Sequence, residues 1–398
     1  MHTPTPSTLT LPLLCAYLLI CRGLRFRRVH AVEAKFFSKR ADLSTMSTAE
    51  ANRIRSTVAQ LEFPSLCVKV LEFGFFRTYG IPSISRTLAL TGQLVSPKTA
   101  PRRYANTVAL DQCISERSHR DQHQLQSVSR LNQIHGHYIK KGLILNDDML
   151  YTLALAMREP CSWIDRYEWR SLTDLERCAM GLYHQHWGQM MHIDFSALPE
   201  IHGSEKQRNG LQFFGDLCTR IDKYEEKYLV PAASNHTLAV STAALLLHSF
   251  PLLLQLVLTR VMTAAMDDRL REAIISDKAS LVYSLLLYTC MLARRVYVRH
   301  GALPRFFSAT ALVSPSGRGG ALHFNSYGLV PIYVKPPWRN CLGAIALYRA
   351  FSRASAAWRC SNVPWRLRGD SCWSEDVLRN DRIEQVCLEG MAAMGGEM

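Results

Sequence analysis

The stretch Ser129-Arg130-Leu131-Asn132-Gln133-Ile134-His135-Gly136-His137-Tyr138 sets the helical reading of this chain. Leu131, Ile134, His135 and Tyr138 recur at the spacing of one helical face, so the segment predicts an amphipathic helix with an imidazole on its apolar stripe. Such an imidazole is either a core histidine whose nitrogens are satisfied by neighbours or a neutral ligand in a dry pocket. His137, two positions on, lies ~200° around the wheel and cannot share a metal ion with it.

Helix signals recur on both sides of this segment, and strand signals are few. Ser47-Thr48-Ala49-Glu50 is a capping box opening a pattern through Leu61, and Thr173-Asp174-Leu175-Glu176 is another, opening a helix to about Met191. Asn146 can cap a third helix whose first turn carries Asp147 and Asp148, favourable at the positive end of the helix dipole. Pro160 predicts that this helix stops near Glu159, because the residue before a proline avoids helical geometry. Gly80 with Pro82 ends the segment from Pro64 to Tyr79, and Gly142 closes one running from Gln126 to Lys141. No fixed-period repeat and no long alternating pattern is present. The architecture is all-α.

Composition narrows the function classes. Of 398 residues 48% are hydrophobic and 20% charged, with 21 Gly and 17 Pro, which excludes a disordered or low-complexity chain. The net charge of +14 suits anionic lipid heads, acidic cofactor groups or nucleic acid. The Trp/Arg-rich segment 355–373 is read as amphipathic packing, since no nucleic-acid fold signature accompanies it. Twelve cysteines are scattered without a CxxC, which predicts reduced thiols in a cytosol-like compartment.

Residues 9–21 form an apolar run of 13 residues, too short for a full span, with no basic residue before it and Arg22, Arg25, Arg27 and Arg28 after it. This predicts a short anchor or an interfacial helix with the following residues on the cytosolic side, the alternatives being a signal peptide and a soluble leader. A second run, 238–258, is broken by His248 and Pro251. A third, 281–293, meets Arg294 and Arg295. Both are expected as buried core helices. The Asn235-His236-Thr237 sequon carries meaning only in a lumenal protein, against the expected topology.

Among 14 histidines there is no HExxH, and His184 and His186, two apart, diverge as His135 and His137 do. A nucleophile elbow, a Walker loop and a dinucleotide glycine pattern are also absent. Arg103 and Thr107, at i and i+4, emerge from one helical face with Asn106 beside them. They read either as a surface brace or as a cation and a hydroxyl for a bound acidic group.

These motifs fall in a definite order. Tyr79-Gly80-Ile81-Pro82-Ser83-Ile84-Ser85 precedes Arg103-Tyr104-Ala105-Asn106-Thr107, then Arg130 with Ile134-His135. Asn146-Asp147-Asp148-Met149-Leu150-Tyr151-Thr152-Leu153 and Tyr167-Glu168-Trp169-Arg170-Ser171-Leu172-Thr173-Asp174 follow. With Leu24-Arg25-Phe26-Arg27-Arg28 ahead and Tyr333-Val334-Lys335-Pro336 behind, the set resembles the fungal endoplasmic-reticulum-bound oxygenases of the mycophenolic-acid pathway type. That group shares its catalytic domain with the bacterial latex-clearing rubber oxygenases. The likeness spans residues 17–340.

The resemblance implies a globin-like helical domain over 29–340 holding one haem b, between an anchor at 1–28 and a tail at 341–398. His135 is then the axial iron ligand. Arg103 and Thr107 are the catalytic pair near the haem, with Asn106 and Arg130 beside the cofactor. The implied activity is O2-dependent cleavage of a C=C bond in a prenylated or isoprenoid lipophilic substrate of secondary metabolism. The implied location is the endoplasmic reticulum membrane, with the bulk of the chain cytosolic. Asn106 stands where relatives carry Lys or Asp, and Gln189 where they carry Asp. The alternatives are a relative that binds haem without turnover, or a helical membrane-surface protein with no cofactor.

Overall fold

In the computed structural model both capping boxes close as their residue types require. The Glu50 N–H donates to the Ser47 hydroxyl at 3.3 Å and the Glu50 carboxylate takes the Ser47 N–H at 3.1 Å. Thr173 and Glu176 repeat the exchange at 3.3 and 2.9 Å. These boxes open α2 (Thr48–Thr57) and α8 (Asp174–Met190). The structure describes residues 6–38, 42–97, 99–116, 121–199, 209–247, 250, 252–308, 312–313, 322–326 and 361–365. The other helices are α1 (Pro6–Phe37), α3 (Pro64–Tyr79), α4 (Pro82–Leu90), α5 (Ala100–Glu116), α6 (Gln122–Lys140) and α7 (Asn146–Tyr167). They continue with α9 (Gly210–Tyr228), α10 (Ala233–Leu247), α11 (Leu252–Ala265), α12 (Asp268–Ala273) and α13 (Leu281–His300). Among the described residues the strands are β1 (Leu312–Val313), β2 (Leu322–Ser326) and β3 (Ser361–Trp365), paired antiparallel in that order. The class is all-α.

Four expectations are corrected. α7 does not stop at Glu159 but carries Pro160 inside it to Tyr167. A proline inside a helix costs about 3 kcal/mol, and the buried Met157, Cys161 and Ile164 on either side of it supply packing that outweighs the lost hydrogen bond. Asn146 begins α7 instead of capping it, and its amide exchanges two 2.9 Å hydrogen bonds with the Asp194 backbone. The run 238–258 is two helices with opposite environments. α10 buries Leu238, Ala239, Thr242 and Leu247, while α11 leaves Leu252, Leu253 and Leu256 mostly exposed. The run 281–293 is likewise no core helix, since α13 buries none of its residues.

The chain separates into two units, each made of three stretches of sequence. α1 also runs without a break through position 28, the expected end of the anchor. The first unit comprises Met1–Arg77, Asn146–Lys227 and Ala279–Ala309. In it the end of α1, α2 and α8 enclose Phe36, Met46, Ala51, Ile54, Leu175 and Cys178. Trp169 is fully buried, with the guanidinium groups of Arg25 and Arg170 each 5.3 Å from its ring. Arg170 also grips Glu176 with two bonds of 2.6 and 2.7 Å, and Glu168 takes Arg294 at 2.8 Å. The 167–174 motif is therefore a structural clasp that joins the end of α7 to the cap of α8.

The second unit comprises Thr78–Leu145, Tyr228–Lys278 and Thr310–Met398. α5 packs on α6, and α10 packs on α4 and α5. Asn235 is its buried hub: Nδ2 reaches the carbonyls of Gly80 (3.0 Å), Val230 (2.9 Å) and Ala273 (2.9 Å), and Oδ1 accepts from Ser85 at 2.5 Å. Gly142 takes φ +68° just past α6, the left-handed turn the sequence predicts there. The Trp/Arg-rich tail, apart from Ser361–Trp365, and Lys335 with its neighbours lie outside the described residues.

Candidate functional site

α5 and α6 place the predicted site residues in one unit. On α5, the Arg103 guanidinium donates to the Thr107 hydroxyl at 2.6 Å, and that hydroxyl donates back to the Arg103 carbonyl at 3.0 Å. One helical turn separates them, so the helix itself sets the pair. Asn106, half-buried on the same helix, has its Oδ1 shielded from water and without a hydrogen-bond partner. Tyr104 and Ala105 between them are buried against the unit's core.

On α6, Leu131, Ile134, His135 and Tyr138 are all half-buried, while Gln133 and His137 face solvent, as the periodicity predicts. His135 Nδ1 is buried and has no hydrogen-bond partner. Burial and the nearby Arg103 guanidinium push His135 down to about 4, so the ring is neutral at physiological pH. Arg130 lies five positions earlier and donates to Gln133 at 3.2 Å along its own helix.

Two further groups join this cluster. Tyr79, the last residue of α3, is buried and its hydroxyl accepts from Thr242 of α10 at 3.3 Å. Burial raises the Tyr79 phenol above its ordinary value, and Arg103 acts in the opposite direction. Arg103 is thus close enough to influence both Tyr79 and His135. Sequence reasoning quoted Tyr79 only within a motif and did not single out Thr242. Its one visible signal is a hydroxyl inside an apolar run.

The first unit holds a second buried imidazole. His184 sits on α8 between Tyr183 and Trp187, with ring centroids 5.2 and 5.8 Å away. Its Nδ1 lies 2.8 Å from the Met180 carbonyl, and burial pushes the ring down to about 4. Gln189, on the same helix, is exposed. Among the described residues no group of three His, Cys, Asp or Glu could hold a metal ion. A haem asks for less: one neutral imidazole at the iron and cations for its propionates. His135, with an orphaned buried nitrogen beside Arg103, fits that requirement.

No protein-family model matches the chain. It is similar to the ER-bound oxygenase mpaB′ of Penicillium brevicompactum, 33% identical over 350 residues, 86% of this chain and 82% of that protein. It is 40% identical to the ER-bound oxygenase mpaB of Penicillium roqueforti (strain FM164) over 264 residues, 66% of this chain and 88% of that protein. To the ER-bound oxygenase mpaB of Penicillium brevicompactum it is 32% identical over 336 residues, covering 84% and 79%.

Proposed function

The chain belongs to the ER-bound oxygenase mpaB family, and from that premise we propose a haem-dependent oxygenase that splits a C=C bond of a prenylated or isoprenoid lipophile with O2. At the coarser level it is an oxygenase of secondary metabolism associated with the endoplasmic reticulum. The observation that carries the finer reading is His135, a neutral imidazole with a buried, unpartnered nitrogen.

In this reading His135 would hold the iron of a haem b, and Arg103 would serve as the cation for a propionate. The haem supplies O2 binding and activation, chemistry no side chain can perform. Thr107, fixed by its two bonds to Arg103, orients that guanidinium. Asn106 offers a neutral amide that can donate and accept but cannot act as a general base near pH 7. The buried Tyr79–Thr242 pair adds a second hydroxyl source on the Arg103 side. Arg130 is engaged with Gln133 and serves the cofactor only if it leaves that bond.

The test is the visible spectrum of the purified protein and of His135→Ala. The variant is expected to lose the Soret band while far-ultraviolet helicity survives, and added imidazole is expected to restore the band. Equal haem content in both proteins overturns the assignment. A second reading places the ligand at His184, because a backbone carbonyl on Nδ1 leaves Nε2 free, as is usual for a metal-bound histidine. Loss of the band in His184→Ala and not in His135→Ala selects it. Aldehyde release from a prenylated aromatic under O2 tests the reaction itself.

A further inference from the structure

α13 is long and apolar enough to cross a membrane, and none of it is buried. Leu281 is 73% exposed and Val282 69%, and Leu285 and Leu286 are exposed too. α1 repeats the pattern, with Leu11, Leu13 and Leu19 at 66%, 67% and 71%. Each helix carries an apolar run of 13 residues, 9–21 and 281–293, followed at once by arginine, Arg22 in one and Arg294 in the other. A water-soluble unit rarely leaves apolar patches of this extent open.

α1 meets the end of α13 and the residues that follow it. Tyr17 donates to the Gly301 carbonyl at 3.0 Å, Arg25 to the Ala302 carbonyl and Arg28 to the Arg305 carbonyl. The Arg299 guanidinium lies 5.8 Å from the Phe26 ring. Arg294 is tied to the buried Glu168, which fixes this junction to the clasp around Trp169. Arg22 and Arg27 stay exposed. Beyond the junction Phe306 and Phe307 are 68% and 88% exposed. Two exposed apolar helix segments thus adjoin one arginine-rich junction.

We propose that α1 and α13 form a single two-helix membrane element, its apolar segments entering the acyl layer and its arginines binding anionic lipid headgroups. Each 13-residue apolar run is ~20 Å long, and the whole of α13, at 20 residues, is ~30 Å, the width of the hydrocarbon core. Arginine stems can lie along apolar surface while their heads reach phosphate, which suits a junction at the headgroup level. The inference rests on the membrane association of the previous section for the choice of a bilayer, and not on haem.

The test is flotation of the full-length protein with vesicles of phosphatidylcholine alone or with phosphatidylinositol added. Wild type is expected to float with both and more strongly with the anionic vesicles. The double variant Leu281→Asp/Leu285→Asp changes only exposed positions and is expected to lose at least about tenfold in vesicle partitioning with α1 intact. Arg22→Gln/Arg27→Gln is expected to lose the preference for anionic vesicles. If the α13 variant floats as wild type while Leu11→Asp/Leu14→Asp does not, α1 is the sole anchor and the proposal fails. If wild type is a dimer in mild detergent, and the α13 variant is monomeric with unchanged flotation, a second copy covers α13 and the proposal also fails. The Soret band is recorded on the same samples. Its absence from wild type counts against the haem reading alone, because flotation reports the membrane element separately.

Discussion

His184 and His135 are imidazoles of two units, the first buried and the second half-buried, and both are pushed down to about 4 by burial. They are held in different ways. His184 has a carbonyl on Nδ1 and aromatic rings around it. It sits in a unit where Arg170–Glu176, Arg294–Glu168 and Arg77–Glu159 bind buried charges in pairs. His135 has no partner on its buried nitrogen, and Asn106 on the facing helix has none on its oxygen. The direction of the pKa shift does not distinguish the two rings here. What distinguishes the two rings is whether Nδ1 has a partner within the chain, since other orphaned polar atoms, Trp169 Nε1 and Glu168 Oε2 among them, occur in the first unit too.

The comparison can be broken most directly at the two polar clusters. Glu176→Ala leaves the buried Arg170 without its bidentate partner and uncaps α8, so a loss of about 3–5 kcal/mol is expected in urea denaturation. Asn106→Leu removes an amide whose oxygen has no partner, so it is expected to be neutral or slightly stabilising. Equal losses in the two variants would erase the distinction.

Acid sharpens it next. Both rings are neutral in the fold with values near 4, against an ordinary 6.5 when unfolded. The unfolded chain therefore takes up protons first. Stability is complete above pH 6.5 and falls as the pH drops toward 4, by up to about 3 kcal/mol for each ring. Chemical denaturation at a series of pH values, on wild type and on His184→Gln, reads the share of each. A flat profile over that range would show that neither ring is dry.

Glycines give the smallest effect and a change of sign. A methyl on Gly181 of α8 would collide with the Gly210 carbonyl at the start of α9, so Gly181→Ala is expected to cost about 1–3 kcal/mol. Gly136, next to His135 on α6, has nothing within 4 Å of that position, and Gly136→Ala is expected to gain about 0.5–1 kcal/mol. Thermal midpoints of the two variants moving in the same direction would contradict the close approach of α8 and α9.

Legibility in the sequence followed the range of the interactions. The capping boxes at Ser47 and Thr173 were readable because a cap is complete within four residues. The α6 stripe and the Arg103–Thr107 pair were readable for the same reason. Pro160 misled because the packing that carries α7 through it comes from outside the segment. The runs 238–258 and 281–293 were apolar in either case, and hydropathy alone does not say whether core, bilayer or water meets them. Thr242 and Tyr79 are 163 positions apart, and no local pattern joins them. The resemblance named the 167–174 motif as a family mark but gave no hint that it ties Arg170, Glu176 and Arg294 into a clasp.

Asn235 has a consequence for how the chain can be made. Its Asn235-His236-Thr237 triplet is an acceptor for N-linked sugar, yet the folded side chain is completely inaccessible, with Nδ2 directed at three carbonyls. An oligosaccharide added to the nascent chain would block those donors and could not be enclosed. A polypeptide threaded into the secretory lumen would meet the sugar-transfer machinery before it folds, and the second unit could not then close around the modified residue. One emerging on the cytosolic face would never be challenged. The folded second unit is thus compatible with this triplet only in its unmodified form.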